Sequence, residues 1–351
     1  MEVDIALPPG QQQARTRWGT HASGAAFDRK KSSYLTEQAQ AFMKRQAFCV
    51  IAGRGPRHEL DGQIAMEKPG FVEIIDEHTC LLHLSEQLST SLLFQGLVQA
   101  EGGSNQVGLF FICHPTRERL CVHGEARVVT RRKAPLFWPF KREETMCMHL
   151  SVHQAFFHCS KYVRTKVGGL TAPVVPSADQ LWHPQRLLNA RQDYLSEEVR
   201  FFLSKQVLCF LCTAGQNGQC TVNHRGGAPG FLVTFPPDRL SPGGMVILPD
   251  YAGNGAFEAL GNILETGLAT LVVPNYAAQM AVCIAGTAGI FDFEELPQWL
   301  AQKCPGAERV ITVSVQRISI QHGDWSTVLA YERTRAESLG LVTDPAVACP
   351  V

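Results

Sequence analysis

The chain contains a stretch of itself twice. "KPGFVEI" (68–74) is answered by "APGFLVT" (228–234), 160 residues later. At that spacing, with no gap, Tyr34-Leu35 falls on Tyr194-Leu195, Glu37 on Glu197, Phe42 on Phe202, Gln46 on Gln206, Cys49 on Cys209 and Gly55 on Gly215. Further on, Gly124 and Ala126 match Gly286 and Ala288 at a spacing of 162. A period this long marks a duplicated domain, because solenoid repeats are only ~20–50 residues long. A chain of 351 residues holds two domains of ordinary size.

Each copy reads the same way. A helix comes first, "YLTEQAQAFMKRQ" or "YLSEEVRFFLSKQ", with Thr36 or Ser196 as its cap and Glu37 or Glu197 in its first turn. Short apolar strands follow, "AFCVIAG" or "VLCFLCTAG", then a turn and the Pro-Gly-Phe strand. Next come "VGLFFICH" with "RLCVHGEARVV", and "LATLVVPN" with "MAVCIAGTAGIF", turning at Pro115-Thr116 and Asn275-Tyr276. "DFEELPQWLAQK" is a helical insertion. Many short strands with tight turns predict small closed antiparallel barrels, two per chain, packed as a pseudo-dimer. The expected boundaries are an extension over 1–30, a first repeat over 31–166, a Gly/Pro/Ser-rich linker over 167–190, a second repeat over 191–335 and a tail over 336–351. The extension over 1–30 and "TDPAVACPV" (343–351) are expected to be poorly ordered.

Lys+Arg and Asp+Glu are 32 each, so no net charge draws the chain to nucleic acid or an anionic membrane. No apolar run is long enough to span a bilayer, and "MEVDIALPPGQQQ" lacks the parts of a signal peptide, so a cytoplasmic location is expected. The 12 cysteines are then expected to be reduced. Cys209 and Cys212 have C-x-x-C spacing, but on a strand they point to opposite faces, and no second pair completes a zinc site.

"CTVNHRGGAPGFLV" (220–233) sets a guanidinium and two glycines at the end of an apolar strand. Arg225 is a bidentate cation, and Gly226 and Gly227 let the backbone come close to an anion. A β-bulge or tight bend also favours Gly-Gly. The residues alone leave both readings open.

The second repeat resembles the pyridoxamine-5′-phosphate oxidase-like superfamily, the FMN-binding split barrels. "NHRGGAPGF", "LPDYAGNGAFEALGNILETGLATLVV" and "IAGTAGIFD" are similar to its R-G-G-x-P-G-F strand, P-D-Y-x-G-N turn and L-G-N-I helix start. In the first repeat "FHCSKYVRT" resembles an N-C-P-K-Y-I signature, and "WGTHASG" an H-x-G-E start. The resemblance spans about residues 18 to 330. It implies a mainly β fold with some α, built as two tandem split β-barrels, with FMN between them. The implied cofactor residues are His224, Arg225, Gly226, Gly227, Tyr251, Asn254 and Asn262, with Lys161 and Arg164 from the first repeat and Arg117 or Arg119 as helpers. The implied activity is an FMN-dependent oxidoreductase acting on a small molecule, with no catalytic acid or base identified.

Two departures bear on this. Gly255 stands where many relatives place a phosphate-gripping cation, and Ala65, Met66 and Glu67 stand opposite Arg225, Gly226 and Gly227. The pseudo-symmetric second site is therefore expected to be dead. The alternatives are a split barrel that has lost flavin and does non-flavin or haem-linked chemistry in a biosynthetic pathway, and a non-catalytic binding protein. No reductase module follows the second repeat, so a separate reductase is expected, with the chain a monomer or homodimer. Neither Arg225 nor Glu67 carries a large apolar group, so replacing either is expected to spare the fold.

His149, His153, His158 and His322 are the histidines to watch for haem. As a strand, "MHLSVHQAFF" spaces His149 and His153 more than ~12 Å apart, which disfavours a shared metal. Trp325 in "HGDWSTVLAYE" is expected to anchor a C-terminal helix, and "TRRKAPLFWPFKREE" to be a solvated hairpin tip.

Overall fold

The computed structural model describes residues 7–100, 103–132, 144–158, 193–276, 279–323 and 325–340. The first repeat supplies β1 (Phe48–Arg54), β2 (Leu60–Met66), β3 (Val72–Ile74), β4 (Thr79–His83), β5 (Asn105–Cys113), β6 (Glu118–Arg132) and β7 (Glu144–Phe157). The second supplies β8 (Leu208–Ala214), β9 (Cys220–Gly226), β10 (Val233–Phe235), β11 (Met245–Asp250), β12 (Leu268–Asn275), β13 (Met280–Asp292) and β14 (Arg309–His322). They form two seven-stranded sheets in the orders β2-β1-β5-β6-β7-β4-β3 and β10-β11-β14-β13-β12-β8-β9. Read backwards, the second order matches the first strand for strand. The register matches too: Phe48 pairs with Met66, and 160 residues on Leu208 pairs with Gly226. Each long hairpin is bulged at the same place, before Gly124 and before Gly286.

The helices are α1 (Pro9–Arg17), α2 (His21–Asp28), α3 (Glu37–Lys44), α4 (Leu92–Gln99), α5 (Glu197–Ser204), α6 (Glu258–Thr266), α7 (Gln298–Ala301) and α8 (Trp325–Ser338). Thr36 Oγ1 accepts from the Ala39 amide at 3.2 Å and Ser196 Oγ from the Val199 amide at 3.3 Å, so the two repeats cap α3 and α5 alike. Among the described residues no helix is long and apolar enough to cross a membrane.

The strands β1 and β8 are apolar on both faces, and the structure shows why. Cys49 and Ile51 point into the first repeat's own core, while Phe48, Val50 and Ala52 point into a core shared by both repeats. Likewise Cys209 and Leu211 face the second repeat's core, and Leu208, Phe210, Cys212 and Ala214 face the shared one. Cys209 and Cys212 thus lie on opposite faces, as strand geometry requires. Polar bonds cross the same interface: Arg54 Nη2 donates to Gly215 O at 2.8 Å, Thr270 Oγ1 to Leu60 O at 3.1 Å, and His114 Nε2 lies 3.0 Å from Tyr276 Oη.

The expectation of a poorly ordered N-terminal end needs correcting. Residues 9–28 are not loose: α1 and α2 pack on the second repeat, where Gln11 Nε2 and Arg15 Nε both donate to Ala256 O, at 2.7 and 3.2 Å. At the other end, α8 packs back on the first repeat, where the His114 amide donates to Glu332 Oε2 at 3.2 Å. Each terminal segment therefore covers the other repeat. The linker 167–190, the residues 341–351 and most of the basic hairpin tip lie outside the described residues.

Candidate ligand cleft

The strand β9 ends where the two barrels meet. Its last side chains open into a cleft of about 130 Å³, walled by His224, Arg225 and Gly226, by the 249–257 turn, by the start of α6, by Arg119 and His158 of the first repeat, and by Phe27 of α2. The cleft is built from three parts of the chain that are distant in sequence.

Arg225 lines it, but it does not stand alone. Its Nη1 is paired with Asp250 Oδ1, and Arg309 Nη1 holds the other carboxylate oxygen at 3.0 Å. Asp250 is almost fully buried, so Arg225 also neutralises a buried charge. The expectation that replacing Arg225 would spare the fold is therefore corrected. Its Nε is buried and finds no acceptor among the described residues. The same holds for Nδ1 of His224, which is itself buried. Burial holds the His224 ring neutral, well below its ordinary pKa, with help from Arg119, His114 and Arg225. His158 is pushed down to about 3 by burial and by Arg119, and its Nε2 lies 3.0 Å from Cys121 Sγ.

The two glycines divide the two readings between them. A Cβ on Gly227 would meet Phe231 Cβ at 2.6 Å, so this glycine serves the bend. Gly226 lines the cleft and pairs with Leu208 at the strand end. In the turn, Asn254 Oδ1 accepts from the Ala256 amide at 3.0 Å, which shapes the approach to α6, and Tyr251 lines the cleft. Asn262 does not reach it. It sits in the core, donating to Thr213 Oγ1 at 3.1 Å and Thr221 Oγ1 at 3.4 Å. Lys161 and Arg164 lie outside the described residues, and Arg117 is exposed at a hairpin tip.

Helix α6 begins at the cleft with no side-chain cap, because Phe257 occupies the cap position at φ 57°. Its first amides are left to other acceptors, and its dipole favours an anion there. Glu258, at the first position, is matched by Lys31 at 2.5 Å. Burial alone would lower the Lys31 pKa, and the carboxylates of Glu258 and Asp28 outweigh that and raise it.

Sequence reasoning missed Phe27, Lys31 and Glu258 because nothing in their local pattern marks them. Asp250 was legible only as part of the P-D-Y turn.

Gly255 has a local cause. It stands at φ 72°, and a Cβ there would run into Ser23 of α2, whose neighbour Thr20 donates to Gly255 O at 3.0 Å. The ground beside the turn, where a long cation would extend, is filled by α2. The enclosed space is small beside a flavin mononucleotide. About 130 Å³ is well under the ~300–1,000 Å³ of sites for drug-sized ligands, and close to the ~150 Å³ apolar cavity known to take one benzene.

The pseudo-symmetric position is closed. Ile64 stands where His224 does 160 residues later, and Gln321 brackets its backbone, accepting from the Ile64 amide at 2.9 Å and donating to its carbonyl at 2.5 Å. Trp325 is fully buried beside it, edge-on to Phe48 and Tyr276. Glu67 Oε1 accepts from the Ser85 amide at 2.5 Å. His149 and His153 lie along β7 and His322 ends β14; among the described residues no three His, Cys, Asp or Glu side chains cluster as metal ligands do.

No protein-family model and no curated protein matches the chain. Solved structures do. HupZ of Group A Streptococcus is 16% identical with a TM-score of 0.28, covering 37% of this chain and 95% of that one. A pyridoxamine 5′-phosphate oxidase-related, FMN-binding protein of Nostoc punctiforme is 10% identical with a TM-score of 0.23, covering 36% and 80%. HutZ, the haem-storage protein of Vibrio cholerae, is 9% identical with a TM-score of 0.23, covering 37% and 94%. The fold is a tandem pair of split barrels. A fold of this kind hosts many functions, and the cleft has to be read on its own residues.

Proposed function

We propose that the cleft between the barrels is the functional site of this chain and that it binds a small anionic molecule, a phosphate or carboxylate. The observation that carries this reading is the pair of buried polar atoms in its wall, Arg225 Nε and His224 Nδ1, that find no partner among the described residues beside the uncapped start of α6. Buried polar atoms in native proteins are almost always satisfied, so a missing partner points to a ligand or water. A guanidinium edge and helix amides select an anion. The neutral histidines His224 and His158 add donors or acceptors without charge.

The flavin-dependent oxidoreductase expected from the resemblance is the competing reading, and it needs more room than the wall at Phe27 leaves. Calorimetric titration with inorganic phosphate and with acetate separates the two. Millimolar or tighter binding, weakened at least tenfold by Arg225→Ala, is the expected result. No heat with either anion removes the reading, and a purified protein carrying stoichiometric flavin absorbance replaces it with the flavin one.

A further inference from the structure

The N-terminal helices do more than cover the second repeat. Resting on the reading of the cleft as an anion site, we infer that α1 and α2 set the size of ligand it accepts, by occupying the ground into which a larger phosphate ester would extend. Phe27 of α2 lines the cleft directly. It is 5% exposed and sits edge-on to Phe156, with ring centroids 5.4 Å apart. Ser23 fills the space beside Gly255, and Thr20 is bonded to that glycine's carbonyl.

This wall is held at both ends. Upstream, Gln11 and Arg15 share Ala256 O as acceptor, and the Gly10 amide donates to Glu265 Oε1 at 2.7 Å. Trp18 Nε1 donates to Asp292 Oδ1 at 2.6 Å, while the Trp18 ring lies 4.6 Å from the guanidinium of Arg309. That arginine is the second partner of Asp250, so the wall and the cleft share a charge network. Downstream, Lys31 ties the end of α2 to Glu258 and to Asp28, which also receives Arg15 at 2.7 Å. Arg15 is 1% exposed, and a guanidinium that deeply buried is stable only with its partners in place. A larger ligand would have to break this set together.

The test measures affinities for inorganic phosphate, ribose 5-phosphate and FMN in the full chain and in two variants. Phe27→Ala trims the wall, and the double variant Gln11→Ala/Arg15→Ala loosens it; hydrogen exchange over residues 9–28 reads whether it has loosened. The expected result is that affinity falls with probe size in the unmodified chain, and that the ratio of FMN to phosphate affinity rises at least tenfold in either variant. Unchanged ratios in a folded Phe27→Ala chain, or in a double variant whose helices exchange faster, overturn the inference. Tight FMN binding by the unmodified chain, with residues 9–28 still protected, also overturns it. Loss of phosphate binding everywhere counts against the cleft reading instead, and the size limit is then read from FMN affinity alone.

Discussion

At the residue scale, Arg225 has two tasks that pull in one direction. It faces the cleft, and it shares the buried carboxylate of Asp250 with Arg309. Arg225→Ala leaves that carboxylate one cation short. The expected cost is about 1.5–3 kcal/mol of stability, the range for a hydrogen bond to a charged group, on top of any loss of ligand. Glu67, in the matching loop of the first repeat, is half-buried and bonded to one amide, and burial raises its pKa, ahead of the lowering effect of the Ser85 amide. Glu67→Ala should leave anion affinity unchanged and cost about 1 kcal/mol or less. Urea denaturation of both variants at pH 7 checks the order. A larger loss at Glu67 than at Arg225 would contradict the account of Asp250.

At the element scale, α8 carries a pH signature. Glu332 is buried under the His114 amide, and burial lifts its pKa to about 8 against an ordinary value of 4.5. Its folded pKa is raised, so the folded state holds the proton more tightly than the unfolded chain. The stabilisation is therefore complete below about pH 4.5 and is lost as pH rises toward about 8. The buried neutral histidines, His158 and His224, act in the opposite sense, favouring the fold above pH ~6.5. The difference between two curves isolates Glu332: Glu332→Gln should flatten the fall in thermal midpoint between pH 5 and 8. Parallel curves for the variant and the unmodified chain would mean that the carboxyl is ionised in the fold.

At the scale of the whole molecule, the two barrels share a hydrophobic core. The shared core draws Phe48, Val50, Phe110 and Ile112 from one repeat and Phe210, Cys212, Val222 and Val272 from the other. Each terminal segment covers the opposite repeat. Unfolding one barrel would strip this core from both, so calorimetry should show a single transition. Phe210→Ala, in the shared core, should cost about 3–5 kcal/mol and lower that transition without splitting it. Two resolved transitions in the unmodified chain would show that the repeats are separate folding units.

The duplication, the strand pairing and the capped helices α3 and α5 were legible in the sequence, because they rest on local patterns repeated at a fixed spacing. The two-sided burial of β1 and β8 was also visible as unbroken apolar runs, although their partner was not. So was the loop that ends β9, whose Arg225 does face the cleft. The rest depended on contacts between distant parts of the chain. Asn262 looked like a ligand residue and became a core hydrogen-bond donor, because α6 turns it toward Thr213 and Thr221. The N-terminal stretch has no apolar periodicity of its own, and it became ordered only because Ala256, Asp292 and Glu258 supply its partners from more than 220 residues away. The cleft's size follows from the same cause. One of its walls is placed by where Phe27 comes to rest, and a side chain's resting place against a remote loop leaves no period, cap or motif in the sequence around it.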